Sequence, residues 1–209
     1  MNEINAFPVT FAILGITVAV SLLAFNNNDL RNKCMFYPYG MNSVNQYYRF
    51  FSHGLVHADY LHLFFNMFTL YSFGRFVEVE LFSKAAYIAL YVTALAAASV
   101  FDFIKHRKDY HYAALGASGA VSAIVFATLI FDPWAKGVAL FGIRFLALPN
   151  IVFAVLYLWY CAYMSRKGGD HIGHNAHLWG SVYGFVFTAV LKPDMLKLFI
   201  DRLMHPAFL

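Results

Sequence analysis

The chain has 209 residues, 61% of them hydrophobic and 12% charged, with a formal net charge of +4 and a mean hydropathy of +0.58. Soluble domains carry roughly 25% charged residues, so this composition excludes an ordinary soluble globular protein and points to a membrane protein. The charge is dispersed, with one basic run at Lys105 to Lys108, which argues against nucleic-acid binding.

Apolar stretches poor in charge, bounded by polar residues or by Gly and Pro, predict helices near 6-26, 60-79, 84-103, 117-132, 149-166 and 175-192. About six spans of roughly 20 residues use up nearly the whole length. The expected fold class is therefore an all-α membrane protein, a six-helix bundle forming a single domain over 1-209 with no room for a separate soluble one. The first stretch, Phe7 to Phe25, has no basic region before it and no small-residue cleavage site after it, and is expected to be a retained helix, not a signal peptide. The segment 27-59 is too polar to span but rich in aromatic residues, which suits a long, partly embedded interfacial loop. Pro133, Gly137, Gly142 and Pro149 predict a hairpin or turn over 133-148, and Gly168, Gly169 and Gly173 put flexible backbone just before the last helix. No internal repeat is evident, which weakens a transporter reading. Lys and Arg divide almost evenly between the two sides, so charge alone sets no orientation. Cys34 and Cys161 give neither a disulfide framework nor a paired metal-ligand spacing.

Two polar residues open uncharged runs: Ser118 in Gly116-Ala117-Ser118-Gly119 and His177 in Ala176-His177-Leu178-Trp179-Gly180. Polar groups at membrane depth are costly and call for a reason. Ser118 lies at a helix start, where unpaired amides would stabilise an anion. Taken alone, the motif also reads as small-residue helix packing, with Gly119, Ala123 and Ala127 as its stripe. His177, Gly180 and Gly184 share one helical face, and packing that face on the Ser118 stripe would bring a hydroxyl and an imidazole together. A bundle hydrogen bond or a metal ligand is the alternative for His177; with no His-Glu-x-x-His pattern in the chain, no metal and no cofactor are expected. His62 and Asn66 lie four apart on the second predicted helix, either as interhelical hydrogen-bonding groups or as oxyanion donors. No carboxylate is expected in the apolar runs near His177, which predicts a dyad without an orienting acid.

The segments His57-Ala58-Asp59-Tyr60-Leu61-His62-Leu63-Phe64-Phe65-Asn66, Gly116-Ala117-Ser118-Gly119 and Ala176-His177-Leu178-Trp179-Gly180, in this order and on these helices, resemble the rhomboid family of intramembrane serine proteases. The resemblance implies a six-transmembrane-helix bundle around a hydrated cavity, with Ser118 as nucleophile, His177 as general base and then acid, and oxyanion stabilisation by His62, Asn66 and the Ser118 amide. It implies transmembrane protein substrates, a lipid bilayer as surroundings, and a multi-pass location in the bacterial inner membrane with a cytoplasmic N-terminus. Structural roles are implied for Tyr48-Arg49, where a Trp-Arg pair is common, and for Gly74 and Glu78 of a Gly-x-x-x-Glu element. The chain departs from some bacterial members at Ser122, where a Tyr packs on the catalytic imidazole; either another aromatic such as Tyr183 or Trp179 supports His177, or the imidazole is held less firmly. A catalytically silent relative that holds client transmembrane segments is the competing reading.

Overall fold

A computed structural model describes residues 3–42, 46–135, 148–167 and 172–206, and each of the predicted stretches carries a helix in it. After a short turn α1 (Glu3–Ala6), the long α2 (Pro8–Phe25) begins on a proline, whose fixed φ and missing N–H suit a first helical position. α3 (Asn28–Cys34) is capped by Asn27, whose side chain accepts from the Leu30 amide at 3.0 Å. α4 (Arg49–Ser52) and a 3-10 turn (His53–Leu55) complete the first loop. α5 (Tyr60–Phe76) is capped by Asp59, which accepts from the His62 amide at 2.7 Å, and runs on into a π turn, Val77–Leu81. α6 (Lys84–His106), α7 (Ser118–Leu129), α8 (Asn150–Lys167), α9 (His174–Leu191) and α10 (Pro193–Met204) follow. The hairpin expected over 133-148 falls largely on 136–147, outside the described residues.

The outermost faces are apolar, and part of the interior is polar. α2 buries Thr10, Thr17 and Ser21 completely while exposing Ile16 and Leu23. α5 likewise turns Phe64, Phe65 and Phe68 outward, and α8 exposes Val155 and Trp159. On length and hydropathy alone, α2 and α6 are the helices among the described residues that could cross a membrane.

α7 is the centre of the bundle. Every residue from Gly119 to Ala127 is buried, with α5, α6 and α9 packed around it. At 12 residues it is about 18 Å long, well short of a hydrocarbon core of about 30 Å. Its tightest neighbour is α9. A Cβ added to Gly180 would overlap the Gly119 carbonyl, and one on Gly184 would overlap that of Ala123. Because 119 pairs with 180 and 123 with 184, the two helices run parallel, and their N-termini share one end of the bundle.

Glu78 ties the fold together at the other end of α5. Its buried carboxylate accepts from the amides of Val9 and Thr10, both at 2.8 Å, and from Thr10 Oγ1 at 2.7 Å. An anion there satisfies orphan amides at the start of α2 and complements the helix dipole. Gly74, one turn earlier, leaves room for the Tyr87 hydroxyl, which a Cβ would strike. α10 lies beyond the last predicted helix. Asp194, Lys197, Asp201 and Arg202 break its apolar run, while Phe199 packs on Phe185 of α9.

Candidate active site

Ser118 is the first residue of α7 and is half-buried. No side chain caps this helix start, so its first amides are directed into the site. The approach to Ser118 is a sharp turn at Gly116, whose φ of 113° lies in the region that favours glycine. A Cβ at Gly116 would lie 2.6 Å from Cε1 of His62. The His62 ring therefore covers the turn immediately before the serine.

Two histidines of the first loop hold that turn. The Gly116 amide donates to the His53 carbonyl at 2.9 Å, and His53 Nδ1 returns a bond to the Gly116 carbonyl at 3.1 Å. His53 Nε2 faces Ser99 Oγ of α6 at 3.2 Å. The Ala117 amide donates to His57 Nε2 at 3.4 Å, while His57 Nδ1 lies 2.9 Å from Ser21 Oγ of α2. Ser21 donates its own proton to the Leu55 carbonyl at 2.9 Å, so His57 carries hydrogen on Nδ1 and keeps Nε2 as an acceptor. Burial, with the nearby rings of His62 and His53 adding to it, pushes the His57 pKa down to about 3. Burial also lowers that of His53. The His57 ring stays neutral, which its acceptor Nε2 requires. An antiparallel bridge between Phe36 and Ala114 fastens the same segment to the first loop, and the buried Arg49 organises that loop by donating to the Asn32 and Met35 carbonyls at 2.8 and 2.6 Å.

Asn66 lies one turn after His62. Its Nδ2 donates to the His62 carbonyl at 2.9 Å, leaving the second amide hydrogen for another acceptor. Its buried Oδ1 meets no donor among the described residues. His62, Asn66 and the start of α7 thus converge on one end of the bundle, with the His62 ring 5.0 Å from that of His57.

His177 lies in the first turn of α9. Its neighbour Ala176 and Ser118's neighbour Gly119 are in contact: a Cβ on Gly119 would lie 3.2 Å from the Ala176 carbonyl oxygen. The imidazole stacks on Tyr157 of α8 at 6.4 Å between centroids and 16° between planes. The Tyr157 hydroxyl in turn lies 3.1 Å from Ser122 Oγ, one turn after Ser118.

A rhomboid domain model matches residues 44–194 of the chain, which includes every group just described from Arg49 to His177. The chain belongs to the rhomboid family. Among curated proteins it is 26% identical to the rhomboid protease GlpG of Klebsiella pneumoniae over 195 residues, 89% of this chain and 64% of that protein. It is 27% identical to the rhomboid protease GlpG of Haemophilus influenzae over 154 residues, 73% of this chain and 74% of that protein. It is 24% identical to that of Yersinia pestis over 189 residues, 88% of this chain and 63% of that protein. The chain therefore spans just under two thirds of two of these relatives.

Two expectations need correction within the rhomboid frame. Neither Tyr183 nor Trp179 supports His177: the Tyr183 hydroxyl donates to Thr93 Oγ1 at 2.7 Å and Trp179 packs on Phe101, both on α6. Among the described residues the rings packed on His177 are those of Tyr157 and His174, and sequence reasoning missed Tyr157. Its signal was Phe153, Tyr157 and Cys161 on one face of an apolar helix, where a phenol needs a partner. The apolar runs are also not free of acid. Asp102, buried near the end of α6, accepts from Asn175 Nδ2 at 2.7 Å, and Ser165 donates to the same Asn175. This carboxylate anchors the first turn of α9, two residues before His177.

Proposed function

We propose that this rhomboid is an intramembrane serine endopeptidase that cleaves transmembrane segments of membrane proteins by a Ser118–His177 dyad. The observation that carries the reading is the parallel, backbone-to-backbone contact of α7 with α9. It aligns the start of the serine helix with the start of the histidine helix, on the face where Gly180 and Gly184 leave no side chains between them.

In this mechanism His177 takes the proton of Ser118 Oγ as the oxygen attacks a substrate carbonyl. The negative charge that develops on the carbonyl oxygen is met by the Ser118 amide at the uncapped start of α7, the free hydrogen of Asn66 Nδ2 and His62. Preorganised donors of this kind are worth roughly 2.7–4 kcal/mol of barrier each. His177 then gives its proton to the leaving amine, and water, activated by the same imidazole, releases the acyl group from Ser118. Asp102 contributes at one remove, through Asn175 and the placement of α9.

The bundle is read as a six-span, multi-pass protein of the bacterial inner membrane, with both termini on one side and the N-terminus cytoplasmic, as the family resemblance implies. The outward Phe64, Phe65 and Phe68 and the inverted polarity of α2 support the lipid setting. A short α7 starting partway down the bilayer explains how a hydrolytic serine reaches water there. A helical substrate must unwind to expose its carbonyl, so Gly and Pro near the cut, which disfavour helix by about 1 and 3 kcal/mol, should speed cleavage.

The test is reconstitution in liposomes with single-span substrates. Cleavage that is lost in Ser118→Ala and rises with Gly or Pro near the site supports the reading. Equal cleavage by Ser118→Ala protein would overturn it.

A further inference from the structure

One cluster joins His177 to two side chains that this mechanism does not use. Cys161 of α8 is completely buried, and His174 in the first turn of α9 is 4% exposed. With His177, one turn later, they bring a sulfur and two imidazole nitrogens to within 4.8 Å of one another. A tetrahedral zinc ion with Zn–S near 2.3 Å and Zn–N near 2.0–2.1 Å needs donor separations of about 3.3–3.6 Å. Movements that bring each donor in by about 1 Å would close the gap.

We propose that Cys161, His174 and His177 form a zinc-binding site whose occupation switches the enzyme off. Thiolate with two imidazoles is a donor set that zinc prefers, with a water completing the tetrahedron. Binding displaces one proton, from the Cys161 thiol, and the resulting Zn–S bond replaces S–H with no change of oxidation state. The ion takes the nitrogen lone pair of His177, so this imidazole cannot accept a proton from Ser118 while the ion is bound. Metal and catalysis are therefore mutually exclusive, and the site is inhibitory and reversible. Of the three, only His177 is a group of the proposed mechanism. The inhibitory part rests on the protease reading, whereas the binding part does not.

The experiment uses the purified full chain in detergent, with Co2+ as a spectroscopic probe and buffered Zn2+ as the inhibitor. In the unmodified protein Co2+ should produce a thiolate-to-cobalt charge-transfer band that Zn2+ abolishes. Zn2+ should slow fluorophosphonate labelling of Ser118, and a chelator should restore it. Cys161→Ala and His174→Gln should keep labelling in metal-free buffer. They should shift the zinc dependence roughly 10-fold or more, since even changes outside the ligand set cost metal sites about 10–100-fold. A cobalt band that persists in Cys161→Ala, one that is absent from the unmodified protein, or equal zinc inhibition of all three would overturn the proposal. A cobalt band lost in Cys161→Ala, from a protein whose Ser118 never labels, would sustain the metal site and count against the protease reading instead.

Discussion

The imidazole of His57 does its work only while neutral, because Nε2 must accept the Ala117 amide beside Ser118. Burial drives its pKa from the ordinary 6.5 down to about 3. Between those values the unfolded chain binds the proton and the folded one does not, so acid favours unfolding. The contribution of His57 is complete above about pH 6.5 and is lost progressively as pH falls toward 3. Thermal unfolding followed from pH 7.5 to 4 should show a falling midpoint, and His57→Gln should flatten that slope. Tyr157 gives a second prediction at this scale. Aromatic stacking is worth about 0.5–1.5 kcal/mol, so Tyr157→Ala should lower kcat roughly 2- to 12-fold with little change in KM. Tyr157→Phe, which keeps the ring on His177, should lose much less.

At the scale of the helices, the critical contact is glycine on backbone. Gly180 and Gly184 were legible in the sequence as a small-residue face, because a period of 3.6 puts them on the side of His177. The partner face, Gly119 and Ala123, was legible for the same reason. Adding a methyl at Gly180 forces α7 and α9 apart at the level of Ser118 and His177. Gly180→Ala should cost about 1–3 kcal/mol of stability and nearly all activity, read as a lower unfolding midpoint and loss of cleavage in protein that still purifies as a monodisperse species. The elements missed by sequence reasoning have a common cause. α10 has charges on one face and apolar residues such as Phe199 on the other, so a search for uncharged runs passes over it. Asp102 was overlooked because a single acid near a helix end does not disturb an apolar average, and only the fold brings it to Asn175. Tyr157 and Cys161 gain their meaning from α9, some twenty residues further along, which no local period reports.

The molecule as a whole is fixed by a few buried polar ties inside an apolar exterior. Glu78 joins the end of α5 to the start of α2 through three short bonds, far from Ser118 in the fold. Hydrogen bonds to a charged group contribute about 1.5–3 kcal/mol each. Glu78→Ala should therefore lower the unfolding midpoint clearly, while the fraction that remains folded keeps its turnover; a specific loss of kcat at unchanged stability would assign Glu78 a different role. The most direct test of the proposed Ser118–His177 dyad is labelling with a fluorophosphonate probe, followed by peptide mass mapping. A covalent adduct on Ser118, absent in Ser118→Ala and strongly reduced in a folded His177→Ala, is the predicted result. No adduct on Ser118 in folded, metal-free protein, or undiminished labelling without His177, would contradict it.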